Sequence, residues 1–122
     1  MAMTELAQHH GIKVILCSIL PVSDYPFLKQ QSGQVVAAGP GPSAPRVKMT
    51  DGRPPGDILK LNAWMKDYAA RTNAIYVDYF KAVVDEKGWL KDAYSADGLH
   101  PNGEGYKVMA PIVGAAVQKA IP

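Results

Sequence analysis

The sequence predicts an α/β fold built on a parallel sheet, and three observations carry that prediction. A nearly continuous apolar run over residues 12–20 contains several β-branched residues, which is typical of a strand buried on both faces. A short helical pattern precedes this run, and a longer helical pattern followed by a second strand pattern comes after it. Strands that alternate with helices in this way lie parallel in one sheet. At 122 residues, the chain has the size of a single domain.

The N-terminal part of the chain predicts one helix and one strand. Residues 2–10 form a short helical pattern that Gly11 ends, and two histidines occupy its last turn, where a cation suits the helix dipole. The strand over residues 12–20 follows and leads into a segment rich in proline and polar residues, 21–26. Ligands of open α/β sheets gather beyond the carboxyl ends of the strands. We therefore expect residues 21–26 to form one wall of an active site.

The segment 27–56 differs from the rest of the chain. It contains Gly39-Pro40-Gly41-Pro42 and Pro54-Pro55 and has no sustained periodicity, so it predicts a long loop with a short extended piece at residues 34–38. Loops of this length are unusual within compact domains. We interpret it as a lid, an insertion or a mobile excursion within a domain that spans residues 1–122; a disordered insertion without function is the alternative.

The second helix–strand pair follows this loop. Asp57 is a suitable N-cap, apolar residues then recur at helical spacing to about Ala70, and Asn73 ends the helix. Alternating residues over 74–80 predict the second strand. A short helical or turn region is expected over residues 81–86.

The remaining segment predicts a turn and one long helix. Lys87-Gly88 predicts the turn, and the next two residues, Trp89 and Leu90, are expected in the core. Residues 103–120 predict the last helix, with Pro111 either kinking it or delaying its start. Its inward-facing stripe is expected to comprise Tyr106, Met109, Val113 and Val117.

Composition excludes several classes of protein. The net charge of +2 arises from 13 basic and 11 acidic side chains that are scattered along the chain, which argues against nucleic-acid binding. The longest apolar stretch, residues 14–22, is interrupted by Ser18 and Pro21 and is too short to span a membrane. The single Cys17 cannot form an internal disulfide and is expected to be a buried thiol. The chain begins almost within a helix, without a signal-peptide pattern, so we expect an upstream part to be missing; the compartment stays open.

The motif that points to chemistry is Asp97-Gly98-Leu99-His100. A histidine that acts as a general base needs an acceptor to orient its ring, and a carboxylate three positions earlier can supply it. From spacing alone, a turn aspartate and a helix-capping histidine explain the motif equally well. A metal site that combines these two residues with His9 or His10 is a third and weaker interpretation, because the spacing matches no recognised motif. We predict no metal and no cofactor.

The residues that flank this motif are more specific than the motif itself. Tyr94-Ser95-Ala96-Asp97-Gly98-Leu99-His100-Pro101-Asn102, followed by Gly105-Tyr106 and Met109-Ala110-Pro111, resembles the last conserved block of the SGNH (GDSL-type) esterases and lipases. Residues 11–26 and the helix–strand pair from Leu61 to Asp78 also look like parts of that family. The resemblance implies hydrolysis of small carboxylic esters by a Ser-His-Asp triad, with His100 as general base and Asp97 as its partner. It also implies a flavodoxin-like α/β/α sandwich, of which this chain would form two parallel strands and about three helices.

The chain lacks two other features of that family. The Gly-Asp-Ser nucleophile motif is absent, as are the glycine and the Gly-x-Asn-Asp segment that form the oxyanion hole. The resemblance therefore covers only the C-terminal half of such an enzyme. Ser23 and Ser18 are candidate replacement nucleophiles because they follow or end the first strand, and Ser95 is a weaker one because it lies too close to Asp97 in the chain. A turn or capping role is the alternative for each serine.

A missing half leaves the first strand without a neighbour. An apolar strand with an open edge is an association site. We therefore expect copies of the chain to form a homo-oligomer through this edge, or to swap elements, and so to complete a larger sheet. The alternative to an active esterase is a catalytically silent α/β fragment whose main role is oligomerisation.

Overall fold

The secondary structure follows the predicted order of helix, strand, helix, strand and helix. A computed structural model describes residues 2–34 and 46–121. The elements in these ranges are α1 (Ala2–His9), β1 (Ile15–Cys17), α2 (Tyr25–Gln31), α3 (Met49–Gly52), α4 (Pro55–Thr72), β2 (Ile75–Val77), α5 (Tyr79–Val83), a 3-10 helix (Asp92–Tyr94) and α6 (Gly103–Ala120). Among these helices none is long and apolar enough to cross a membrane.

The two strands form the predicted parallel pair, so the α/β fold is confirmed. Ile15 lies opposite Ile75, and Cys17 lies opposite Val77. The pair is shorter than predicted because the chain leaves the sheet after Ser18, whose N–H donates to the Val77 carbonyl at 2.9 Å. The next residue, Ile19, has both backbone groups bonded to the Asn62 side chain, at 2.7 and 2.9 Å, and therefore pairs with α4 rather than with another strand.

One edge of β1 has no strand beside it in the described part of the chain. Ile75 donates its N–H to Val14 and Ser18 donates its own to Val77, so the backbone groups of the residues that directly flank β1 face β2. Because backbone groups alternate in direction along a strand, those of Ile15 and Cys17 face the open edge. All three β1 residues are only half-buried, so the predicted burial on both faces is wrong for the described chain.

The helix α4 connects the strands, and both α4 and α6 pack on the sheet. Asn73 ends α4 as predicted, in the left-handed conformation with φ of 58°. The predicted start at Asp57 is wrong: the helix begins at Pro55, with Pro54 at the N-cap position. Proline is well suited to the first turn because the N–H that it lacks would have no partner there.

The expectation of an irregular segment over residues 27–56 is wrong in part. Most of α2, all of α3 and the start of α4 lie within it. Helices of seven and four residues are too short to show a helical period in the sequence, and Pro26 obscured the start of α2. Thr50 in α3 is fixed to Asp24, which accepts hydrogen bonds from its N–H at 3.1 Å and its hydroxyl at 2.6 Å. The predicted extended piece at 34–38 lies outside the described residues beyond Gln34.

The C-terminal elements close the core. Leu90 is fully buried, as predicted, and Trp89 packs edge-on against the Tyr25 ring. Helix α6 starts at Gly103 and contains Pro111 within it, so the proline does not delay the start. The predicted inward stripe is wrong at both ends, because Tyr106 and Val117 are exposed. The buried positions are Gly105, which packs against Tyr94 and Pro101, and Ala116.

Candidate active site

The loop between the 3-10 helix and α6 brings Asp97 and His100 together. The Asp97 Oδ2 atom lies 2.7 Å from His100 Nδ1. The other carboxylate oxygen, Oδ1, accepts the backbone N–H groups of Leu99 and His100, both at 2.8 Å. Both carboxylate oxygens therefore take part in hydrogen bonds, which fix the orientation of the carboxylate toward the imidazole.

The electrostatics of Asp97 favour an ionised carboxylate. Partial burial of the side chain opposes ionisation, but the hydrogen bonds from the His100 ring and from the N–H groups of His100 and Leu99 outweigh it and lower the pKa of Asp97 to about 2. At neutral pH an ionised acceptor thus faces Nδ1 of His100. This favours the tautomer that carries its proton on Nδ1 and leaves a lone pair on Nε2.

The two members of the pair differ in exposure. The Asp97 side chain is 18% exposed, whereas the His100 side chain is 75% exposed. Within the described residues no hydrogen bond is made to His100 Nε2. The arrangement is a fixed carboxylate behind an imidazole whose free nitrogen is open to an incoming group, which is the geometry that a general base requires.

A buried serine hydroxyl lies inside the loop. Ser95 Oγ donates to the His100 carbonyl oxygen at 2.7 Å and accepts the Gly98 N–H at 3.0 Å. It also lies 3.3 Å from Asp97 Oδ1. With its hydroxyl engaged in this way and its surface only 5% exposed, Ser95 is not presented as a nucleophile.

Gly98 joins this loop to the segment that follows β1. Its φ is +81°, and its carbonyl accepts the Ser23 N–H at 2.8 Å. A Cβ atom at Gly98 would lie 2.3 Å from the Ser23 carbonyl oxygen, so only glycine fits this contact. The carboxyl-end segment of β1, predicted as a wall of the site, is therefore in backbone contact with the Asp97–His100 loop.

The two serines predicted as replacement nucleophiles are both buried. Ser18 is 6% exposed, and its hydroxyl accepts the Phe80 N–H at 3.0 Å, which fixes the start of α5. Ser23 is 1% exposed and reaches the loop through its backbone. Among the described residues neither serine hydrogen-bonds to His100. A nucleophilic role for either of them stays a prediction.

Other titratable clusters are separate from this pair. In residues 2–34 and 46–121 no group of three or more His, Cys, Asp or Glu is placed to hold a metal ion. His9 and His10 pack edge-on against each other, with ring centroids 5.2 Å apart, at the end of α1. Tyr25 donates to Asp85 Oδ2, and this bond, together with burial and the charge of Asp85, raises the pKa of Tyr25 to about 12.

Sequence reasoning missed the contacts that organise the loop. The roles of Ser95 as an internal hydrogen-bond partner and of Gly98 as a close contact depend on backbone geometry. A serine two positions before the aspartate and a glycine directly after it were the available signals. They could have indicated a side-chain-stabilised turn with one residue at positive φ.

Comparison with known proteins supplies the context for this geometry. Residues 2–108 match the model of the GDSL-like lipase/acylhydrolase family. A Bacteroides fragilis protein provisionally named an acylhydrolase is 34% identical, with a TM-score of 0.73 over 99% of this chain and 49% of its own. A GDSL-like lipase from Bacteroides thetaiotaomicron is 33% identical, with a TM-score of 0.70 over 98% of this chain and 49% of its own.

A more distant structure shares the fold alone. The esterase domain of an ORF1 protein from a zebrafish retrotransposon is 13% identical, with a TM-score of 0.59 over 97% of this chain and 54% of that domain. No curated protein matches the chain significantly. The chain thus spans about half the length of the two Bacteroides structures, 49% in each case.

Proposed function

The chain belongs to the GDSL-like lipase/acylhydrolase family, and on that basis we propose that it is a serine hydrolase of small carboxylic esters with Asp97 and His100 as its catalytic pair. The observation that carries the proposal is the 2.7 Å contact between Asp97 Oδ2 and His100 Nδ1 beside an open Nε2. Membership of the family supports the hydrolase class. Ester specificity and the roles of the two residues are our proposal.

In the proposed reaction His100 moves protons and Asp97 orients it. Nε2 takes the proton of a serine hydroxyl while the serine oxygen bonds to the ester carbonyl carbon. The resulting imidazolium is stabilised by the ionised Asp97 and returns the proton to the alcohol as the ester bond breaks. A water molecule that Nε2 deprotonates then cleaves the acyl-serine, and the acid leaves as His100 passes the proton back to the serine.

The source of the serine has two alternatives. Ser23, and after it Ser18, would supply it from this chain if the buried segment after β1 rearranged to expose a hydroxyl. A serine from another chain would instead approach the exposed Nε2 directly. The engagement of Ser18 with Phe80 and the near-complete burial of Ser23 favour a serine supplied by another chain.

Ester hydrolysis with covalent labelling tests the proposal. We expect the purified chain to hydrolyse a short-chain aryl ester and to react with a fluorophosphonate, whose attachment site mass spectrometry would identify. Ser18→Ala and Ser23→Ala should each be compared with Ser32→Ala, which removes a serine at the end of α2. Specific activity that rises with chain concentration would indicate a serine from a second copy. Hydrolysis no faster than in buffer, together with no labelled peptide, would contradict the proposal.

The surface of the chain favours a second proposal, self-association. Met3 and Leu6 of α1 and Ile12 before β1 are 83%, 62% and 59% exposed, and among residues 2–34 and 46–121 no strand lies beside the outer edge of β1. Exposed apolar surface next to unpaired backbone groups favours pairing with a further strand. We propose that two or more copies associate through the β1 edge, which would also be the role of the chain if it is catalytically silent.

Light scattering tests this association. At micromolar concentration we expect a mass of two or more chains, and Ile15→Pro should reduce it to one, because proline removes an N–H from the open edge without removing a bond to β2. Leu28→Lys changes an exposed apolar residue on α2 and should leave the mass unchanged. A compact monomer for the unmodified chain at this concentration would contradict the proposal.

A further inference from the structure

We propose that Ser95 is a positioning residue, whose hydroxyl holds the backbone of the loop in the conformation that places His100 on Asp97. Its relevance to catalysis rests on the function proposed above, but the positioning itself has a physical readout that needs no activity. Ser95 lies in the chain just before the proposed catalytic pair and would act on it mainly through the backbone, beside a longer contact of its hydroxyl with Asp97 Oδ1 at 3.3 Å.

The hydroxyl makes two bonds to the backbone that no apolar side chain can replace. It donates to the carbonyl of His100 at 2.7 Å and accepts from the N–H of Gly98 at 3.0 Å. These two groups flank Leu99, so one oxygen atom joins both sides of the turn between Asp97 and His100. A buried hydroxyl that is both donor and acceptor fixes the relative orientation of the two peptide groups.

Contacts outside the turn anchor Ser95 itself. Ser95 and Pro101 form an antiparallel bridge, and the N–H of Asn102 donates to the Tyr94 carbonyl at 2.8 Å. The Asn102 side chain adds a bond to the Ala93 carbonyl at 3.0 Å and caps α6 by accepting the Gly105 N–H at 3.0 Å. These contacts hold the two ends of the loop side by side. The backbone of Ser95 is therefore fixed, and its hydroxyl points into the turn.

The position of the imidazole depends on this turn because its side chain is otherwise unsupported. His100 is largely exposed, and within the described residues the hydrogen bond of its ring is the one to Asp97. If the His100 peptide rotates, the ring leaves the carboxylate even though Asp97 itself stays bonded to backbone N–H groups. Loss of the Ser95 hydroxyl is therefore expected to disturb the pair without removing either member.

Nuclear magnetic resonance of the His100 ring nitrogens tests the inference. In the unmodified chain at neutral to alkaline pH, we expect the tautomer with the proton on Nδ1 to dominate. Ser95→Ala should shift the population toward the Nε2–H tautomer and speed hydrogen exchange at the Gly98 amide by about 5-fold, the equivalent of one ordinary hydrogen bond. Ser95→Thr retains the hydroxyl and should restore both readouts. Ser32→Ala removes a hydroxyl that also donates to a backbone carbonyl and should change neither.

The outcomes separate positioning from simple stabilisation and from the proposed reaction. A folded Ser95→Ala chain with unchanged His100 tautomer and Gly98 exchange would overturn the inference, even if its melting temperature fell. If Ser95→Ala does not fold, a folded Ser95→Thr chain with the Nδ1–H tautomer supports it, and one without that tautomer overturns it. If the ester assay fails while the tautomer shift is found, the hydrolase proposal is wrong and the positioning role stands. If hydrolysis is found, kcat should fall about 10-fold in Ser95→Ala with KM unchanged, and an unchanged kcat would count against the inference.

Discussion

Gly98→Ala is expected to lower the free energy of unfolding by about 2–5 kcal/mol, since it adds a steric clash to an unfavourable backbone conformation. The left-handed φ of +81° costs an alanine about 1–2 kcal/mol, and the new Cβ would lie 2.3 Å from the Ser23 carbonyl oxygen. Relief of that contact requires the loop and the segment after β1 to separate. Urea denaturation followed by tryptophan fluorescence measures the change.

Gly88→Ala is the matched control for this substitution. Gly88 has almost the same φ, +83°, but a Cβ there would meet nothing within 4 Å among the described residues. We expect it to cost only the conformational part, about 1–2 kcal/mol. Equal losses in the two variants would contradict the steric part of the expected cost at Gly98.

Replacement of either member of the proposed catalytic pair is expected to reduce kcat/KM for an aryl ester by about 10²- to 10⁴-fold. His100→Ala removes the proposed base. Asp97→Asn keeps the size of the side chain but removes the charge that would stabilise the imidazolium, and its amide group can face Nδ1 with a donor instead of an acceptor. Steady-state kinetics on the folded variants measures both losses.

His9→Ala and His10→Ala are the matched controls, because they remove histidines from α1 instead of from the loop. Both should retain the kcat/KM of the unmodified chain. The double variant of Asp97 and His100 should be little worse than either single one, since residues that act as a unit have non-additive effects. Hydrolysis that survives His100→Ala would exclude the proposed mechanism.

Those elements of the fold could be predicted whose residues show a helical or strand period in the sequence. The strand patterns and helix α4 are long or regular enough to be seen, and their parallel pairing followed from their order. Helices α2 and α3 were missed because seven and four residues cannot display a 3.6-residue period. The stripe on α6 was misplaced at Tyr106 and Val117, because which face of the helix is buried depends on where the neighbouring loop lies. Gly105 packs under that loop, and a glycine gives no apolar signal.

The candidate site was predictable only where its contacts are local. Asp97 and His100 are three residues apart, so their spacing and the resemblance of the flanking sequence to a known family were enough to propose a pair. The contact of Gly98 with Ser23 joins segments 75 positions apart, as their residue numbers show, and no local pattern encodes it. The burial of Ser18 and Ser23 is likewise a consequence of tertiary packing. The sequence alone therefore could not exclude either serine as a nucleophile.

The internal hydrogen bonds of the Asp97–His100 loop join residues at most five positions apart. Closing so short a segment costs little chain entropy, so the pair needs few distant contacts to form. Such a loop supplies both side chains, and the hydrogen bonds between them, from one short segment of the sequence. During the folding of a complete hydrolase, the base and the carboxylate would then come together first. The nucleophile would join a pair that is already formed.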